Sequence, residues 1–554
     1  MAMIKKTRYF LGIIFLSLTL VHCAKRGSPK GGPEDKLPPE VVSTNPPNFS
    51  TNFKGKNITI TFNELVKLNK LQQQLIISPP MEPAPLITPI GGAANSVKIE
   101  ILDTLIPNTT YLINFGNSIV DNNESNAFPY YTYVMSTGPS IDSLKLRGTI
   151  NDALMPELEG NVTVMLYPAD TIYSDSLVYQ DIPRYVTSTK DSSVIFELTN
   201  LRAGDYKLVA LLDEDKNYTF QADKDKIAFY EDFISIPAEE DYALTLFSEE
   251  PLSEIGRPRQ GASQRVNFPF YGSKSNMDVR LLSTKPEGFE SLITTRQQGD
   301  SLLYWYKPFI ENDSLVFETR LGNALDTLFV RRRGLKKDSL EVISTGSTLL
   351  IGDTLRLQST IPVVAMDEEK ITIMSKDSTV IDFESYLRPK QQEILLLFET
   401  LEDERYQIDV LPEALTDFYG TQTDSLSFKA TTKKTSDYGE LELTLRNARN
   451  PPYIVQLVNS SKFEVQREIF GTEDQDVYTF KYLTPGKYYL RLIADENGNK
   501  KYDSGNFLLR RQPEPVIYFP VELDVRANFS NRQIFTLDEK INTSAGTDPG
   551  LPEN

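Results

Sequence analysis

The chain has 554 residues and carries 76 Asp and Glu against 58 Lys and Arg, a formal net charge of -18. At 40% hydrophobic it has apolar material for about four domains, and its acidity argues against nucleic acid and anionic membrane surfaces as partners, because both select Lys and Arg. The only histidine is His22 and the only cysteine is Cys23, which excludes Ser-His-Asp and Cys-His catalysis, histidine-held zinc or iron, and structural disulfides from the rest of the chain.

Lys5, Lys6 and Arg8 precede an apolar run from Tyr9 to Val21 that is too short and too early for a mature transmembrane helix. Residues 1–22 therefore read as a secretory signal. The run ends in Leu20-Val21-His22-Cys23, which resembles the bacterial lipobox, with Leu20 three residues before the acceptor Cys23; His22 departs from the small residue usual just before the cysteine. The resemblance implies a lipidated N-terminus at Cys23, and Ala24 after it resembles lipoproteins passed on to the outer membrane of Gram-negative bacteria. An ordinary signal peptide with a chance cysteine is the plainer alternative. Residues 23–40, rich in Gly and Pro and nearly free of apolar side chains, form a disordered tether. Lys25 and Arg26 stand where surface-exposed lipoproteins of Bacteroidetes carry an acidic cluster, so the expected location is the periplasmic face.

From residue 41 the pattern is of short strands. Val41-Val42, the alternating Ile58 to Phe62, Leu75 to Ile77, Val97 to Ile101 and Tyr111 to Phe115 are punctuated by Pro79-Pro80, Gly91-Gly92 and Pro107-Asn108. That spacing predicts a β-sandwich over 41–140. The segments "VVSTNPPNFSTNF", "ITITFNELV", "LIISPP", "LIPNTTYLINFGNSIVDNNESN" and "YTYVMSTG" resemble the bacterial Ig-like domain of S-layer type, common in Bacteroidetes lipoproteins. This implies a fold and an exported setting, with no catalytic residues.

Residues 141–250 carry Leu201, Gly204, Tyr206 and Leu208 as L-x-x-G-x-Y-x-L before the polar loop Asp213 to Asn217. The motif resembles the transthyretin-like or carboxypeptidase-regulatory sandwich. Residues 252–342 form a β-rich middle domain containing the only tryptophan, Trp305, between Tyr304 and Tyr306. A sugar-stacking platform and a core aromatic are the two readings of Trp305, the core being the plainer. Arg331 to Arg333 with Lys336 and Lys337 read as a solvated hairpin turn rather than an anion site.

The chain then repeats itself. Over 345–433, "GDTLRLQSTIPV" stands where "GKNITITFNELV" stood, and Asp417 takes the place of Asp121, giving a second Ig-like domain. Over 437–537, Leu483, Gly486, Tyr488, Leu490, Asp495, Glu496 and Asn499 fall in the register of Leu201, Gly204, Tyr206, Leu208, Asp213, Glu214 and Asn217, giving a second transthyretin-like sandwich. Residues 538–554 are a disordered tail. The fold class is all-β, tandem sandwiches.

Two patterns carry candidate chemistry. Asp495, Asn497, Asn499, Lys501 (through its carbonyl) and Asp503 have the alternate spacing with which a short loop presents oxygen to calcium, and Asp213, Asp215 and Asn217 form a weaker first copy. A polar hairpin closed by Asx turns is the competing reading. The tripeptide Asp-Ser/Thr-Leu recurs at Thr104, Ser143, Ser176, Ser301, Ser314, Thr327, Ser339, Thr354 and Ser425. It resembles the O-glycan acceptor of Bacteroidetes envelope proteins; the alternative is an Asx turn that starts a strand. No motif of a hydrolase or phosphate-binding loop is present. The expectation is a non-enzymatic, lipid-anchored envelope scaffold with the membrane as one partner and an envelope protein or glycan as the other, calcium being the one candidate cofactor. A carbohydrate-binding lipoprotein of a glycan-uptake system is the alternative, and a carboxylate-dependent hydrolase stands behind it.

Overall fold

A computed structural model describes residues 35–189, 193–250, 253–272, 277–296, 299–322, 324–448, 452–472 and 475–537. The signal segment, Cys23, most of the tether and the tail from residue 538 lie outside the described residues. The chain divides into two compact units, Met1–Asp142 and Ser143–Asn554. The expected all-β class holds in both.

The first unit is a sandwich built around the strand Asn57–Leu68. It pairs antiparallel with Val41–Asn45 on one side and Ala94–Glu100 on the other, Leu86–Thr88 lies outermost, and Ile119–Asp121 joins its far end. Ile76–Ser78, Thr110–Asn114 and Thr132–Ser136 form the facing sheet. The two-residue period of a strand sends Ile58, Ile60 and Phe62 to one face, and they are buried with Ile99, Tyr111, Ile113 and Tyr133.

The second unit holds four sandwiches in chain order. In the first, Tyr185–Ser188, Thr163–Pro168, Gly204–Leu212 and Lys226–Phe229 lie in sequence across one sheet, with Ile234–Ile236 also on Gly204–Leu212. Ile195–Leu201, Leu144–Asp152 and Tyr242–Leu246 make the other sheet, the last pairing parallel. The fourth sandwich repeats this order strand for strand. Val465–Phe470, Tyr453–Asn459, Gly486–Ala494, Val516–Tyr518 and Leu523–Val525 face Val477–Leu483, Gly439–Arg446 and Ser530–Thr536, again with a parallel outer strand. The repeated tyrosine has a specific job: Tyr206 donates to the carbonyl of Arg202 at 3.0 Å and Tyr488 to that of Thr484 at 2.6 Å. In each copy the hydroxyl ties down the turn that precedes its own strand, so a buried ring keeps its polar end satisfied.

The middle sandwich sets Glu254–Ile255, Arg265–Tyr271, Ser301–Lys307 and Glu290–Thr295, with Arg259–Ala262, against Met277–Leu281, Ser314–Leu321 and Ala324–Arg331. The third repeats the first unit's layout, except that its long strand is in two pieces, Leu355–Ser359 and Val363–Met366. Pro362 stands between them, where it has no N–H to give a ladder. The basic stretch after Arg331 corrects the hairpin expectation: it is an irregular connection running to Val342. Arg332 donates to the carbonyls of Ile310 and Asn312 and stacks 4.0 Å from the Phe309 ring.

Candidate functional site

The two repeated loops are the best-defined polar constellations, and they close in the same way. Asp495, Asn497, Asn499 and Asp503 are brought together. The Asp495 carboxylate accepts the backbone N–H groups of Asn499 at 3.0 Å and Lys500 at 2.9 Å. Asn497 and Asn499 each donate a side-chain amide to Asp503, at 2.5 and 2.7 Å, while their own oxygens take the N–H groups of Asn499 and Lys501. In the first copy Asp213 takes the N–H groups of Asn217 and Tyr218, and Asp215 is drawn off into an ion pair with Lys224 at 2.8 Å. Asn217 accepts from Thr219.

Each loop also has a second carboxylate that the spacing did not reveal. Glu514 accepts the N–H groups of Glu496 at 3.0 Å and Asp503 at 2.9 Å; Asp225 accepts those of Glu214 at 3.1 Å and Gln221 at 2.9 Å. Both are buried, and burial pushes both carboxyls above their ordinary range. The second copy's longer loop puts Glu514 far from the place of Asp225 in sequence, so register alone does not find it. The loop oxygens are thus already engaged by N–H donors. Among the described residues no three acidic side chains converge in a geometry that could hold a metal.

The chain that leaves the second loop becomes a clamp on the first repeat. The Phe507 ring is fully buried, 5.2 Å from Phe229 and 6.3 Å from Tyr179, and its N–H donates to Glu249. Arg510 pairs with Asp175 at 3.2 Å, and Gln512 donates to the carbonyl of Phe229 at 3.0 Å. Arg491 and Tyr518 both donate to the carbonyl of Leu154. Beside this seam lies Lys207, 1% exposed, whose ammonium donates to the carbonyls of Tyr230 and Glu231 at 2.7 and 2.6 Å. Burial, with Arg510 nearby, pushes it down to about 8.

Trp305 makes a second seam. It is fully buried, as are Tyr304 and Tyr306, so the sugar-platform reading of Trp305 does not survive. Its indole N–H donates to Thr294 at 2.9 Å, its ring meets Tyr419 and Arg265, and it clusters with Leu303, Ile361 and Phe418. Asp121 and Asp417 close equivalent loops. Asp121 takes the N–H groups of Asn123, Glu124, Ser125 and Asn126, and Asp417 those of Tyr419 and Thr421. Burial works against the Asp121 anion, but four N–H donors hold its carboxyl below the ordinary value.

The nine Asp-Ser/Thr-Leu sites are dispersed. Thr104, Ser143, Ser176, Ser314, Thr327, Ser339 and Ser425 are exposed and Thr354 is half-buried, but Ser301 is buried at the start of its strand and closed to a modifying enzyme. In three of them the Asp carboxylate accepts the N–H of its own Thr, at 2.6 Å for Thr104, 2.7 Å for Thr327 and 2.8 Å for Thr354. Ser301 and Ser314 open strands, and Leu144, Leu355 and Leu426 open others. Cys23 lies outside the described residues.

Residues 35–137 match the family model described as a bacterial Ig-like domain. No curated protein sequence matches the chain. Among solved structures, the S-layer protein rSbsC(31-844) aligns at 11% identity over 88% of this chain and 67% of its own, with a TM-score of 0.14. The N-terminal eight Ig domains of Down Syndrome Cell Adhesion Molecule align at 9% identity over 89% of this chain and 70% of theirs, with a TM-score of 0.14. The I9-I11 tandem from titin aligns at 8% identity over 52% of this chain and 100% of its own, with a TM-score of 0.12. Likenesses this weak carry no argument about what the chain does. The family match falls on the first unit, whose segments resemble that domain.

Proposed function

We propose that the protein is a non-enzymatic scaffold of a bacterial envelope, anchored by a lipid on Cys23 and carrying its sandwiches on the periplasmic face of the outer membrane. The observation that carries the scaffold reading is how the polar residues of the repeats are used. Asp121, Asp213, Asp225, Asp417, Asp495 and Glu514 all accept backbone N–H groups that close loops. A carboxylate committed in this way fixes backbone and is not poised to move a proton or attack a substrate.

The glycan alternative loses its strongest sequence feature with the burial of Trp305. For the hydrolase alternative, a cleft of about 600 Å³ is lined by Asp223, Asp225, Glu249 and Glu254. Two of these acids, Asp225 and Glu249, are held by backbone donors. The exposed Asp-Ser/Thr-Leu hydroxyls fit glycan attachment sites on an exported scaffold. Anchoring is tested by fractionating cells that express the full chain or its Cys23→Ala variant. The wild type partitions with membranes and the variant leaves them; an unchanged distribution contradicts the anchor.

A further inference from the structure

Sheets in soluble proteins guard an open edge with short strands, proline, bulges, charge or a covering segment. Ala324–Arg331, in the middle sandwich, has little of this protection: only Arg259–Ala262 comes alongside it, toward the Arg331 end, where Gln260 accepts the N–H of Arg333. Its eight residues pair only with Ser314–Leu321, and among the described residues no longer strand is paired on one side alone. The register is unbroken from Ser314↔Arg331 to Leu321↔Ala324, with neither bulge nor proline.

Hydrogen bonding fixes which residues face the open side. Arg332 donates its N–H to the carbonyl of Asp313, so the even-numbered residues turn toward the partner strand. The carbonyl of Val316, opposite Phe329, accepts from Leu282 on the other side, and the N–H of Thr327 is taken by Asp326. In an antiparallel ladder this alternation points the backbone groups of Leu325, Thr327, Phe329 and Arg331 outward. The same residues carry their side chains on the face opposite the core, where Val330 is buried. Leu325 is 58% exposed and Phe329 67%. A strand with free backbone groups and exposed apolar side chains at alternate positions is what strand addition uses for affinity and selectivity.

Charge selects the occupant. In a chain of net charge -18 the Arg331 end of this edge is locally basic, whereas Arg320 also faces Asp278, Glu318 lies opposite Thr327 and Asp326 is exposed in the strand itself. Arg320, opposite Leu325, is exposed, Arg331 ends the strand, and Arg333, Lys336 and Lys337 follow it exposed. We propose that the edge Ala324–Arg331 takes an extended acidic segment of a partner protein as an added strand. The segment pairs through the backbones of Leu325 and Phe329, lays apolar side chains beside them, and places carboxylates near Arg331 and Arg333. This rests on the scaffold reading and supplies its contact surface, but it does not depend on the lipid anchor.

The probe is a capped peptide of alternating Val and Thr with Glu at both ends, measured by fluorescence anisotropy against the full mature chain in mild detergent, beside a peptide with Lys in place of Glu. The Glu peptide binds about tenfold more tightly than the Lys peptide, and added salt narrows the gap. Phe329→Lys and Thr327→Pro each weaken binding about tenfold. Asp326→Ala, which frees the Thr327 N–H, tightens it, so one variant moves affinity in the opposite direction from any folding defect. Arg331→Glu with Arg333→Glu reverses the peptide preference. Binding indifferent to these changes overturns the proposal. So does sedimentation showing that the wild type is a dimer that Phe329→Lys dissociates, since the edge would then belong to a second copy. Loss of the anchor in Cys23→Ala leaves these affinities unchanged, which keeps the two proposals separable.

Discussion

The ring of Phe507, carried past the second repeated loop, meets that of Phe229 in the first repeat edge to face, with centroids 5.2 Å apart and planes at 77°. Two copies of one sandwich, separated in sequence by two other sandwiches, are thereby joined through a side chain fully removed from water. Phe507→Ala empties that socket and costs about 3–5 kcal/mol. Urea unfolding of the variant then shows an early transition for the terminal sandwich; a single unshifted transition contradicts the clamp.

Lys207 gives a pH signature. Its folded value is lowered to about 8 from 10.5, so between those values the unfolded chain binds more protons and stability contributed by this residue rises with pH. Below about pH 8 the cost of the buried ammonium is fully present. Relative to Lys207→Met, the wild type gains about 1–2 kcal/mol from pH 7 to pH 9.5. Parallel urea midpoints for the two proteins across that range count against a buried ammonium.

Glu514 gives the opposite sign. Burial raises its folded value, so its contribution falls as pH climbs from the unfolded value of about 4.3 through the folded one. Glu514→Gln therefore gains in stability relative to the wild type as the pH rises from 4.5 to 7. Because the loop oxygens already accept N–H groups, millimolar calcium leaves the wild-type melting midpoint where it is. A calcium-dependent rise that Asp495→Asn abolishes would instead establish the cation reading of the loop.

Trp305, as the only tryptophan, reports on its seam directly. Its emission is blue-shifted and resists iodide quenching, and Tyr419→Ala or Phe418→Ala makes it quenchable. Red-shifted, quenchable emission in the wild type would return Trp305 to the surface and revive the sugar platform.

Thr327 places two proposals in competition. Its hydroxyl belongs to an Asp-Ser/Thr-Leu tripeptide and its backbone lies on the open edge. A glycan on Thr327 would block strand addition, so chain purified from its native host carries this threonine unmodified if the edge is used. Peptide mapping that finds Thr327 occupied would confine the edge proposal to unmodified chains.

The sandwich architecture was legible because alternation and turn residues act locally. Ile58, Ile60 and Phe62 alternate in sequence and share one core face, and Tyr206 and Tyr488 hold the same turn in both copies. The seams were not legible. Phe507 sits in a stretch with no alternation around it, and its partners Phe229 and Glu249 are 278 and 258 positions away, a relationship that no local period encodes. The loops were half legible: Asp495 and Asp503 stood out by spacing, whereas Glu514 is brought in by the return of the chain. The basic stretch misled because charge on Arg332 suggested solvent, while its guanidinium plane is used to cap two carbonyls against Phe309.

A scaffold tied to the envelope through one residue shows itself in mass spectrometry of the N-terminal peptide of the chain purified from its host membranes. The expected peptide begins at Cys23 and carries lipid on it. A peptide beginning at another residue, or one with an unmodified Cys23, would contradict it.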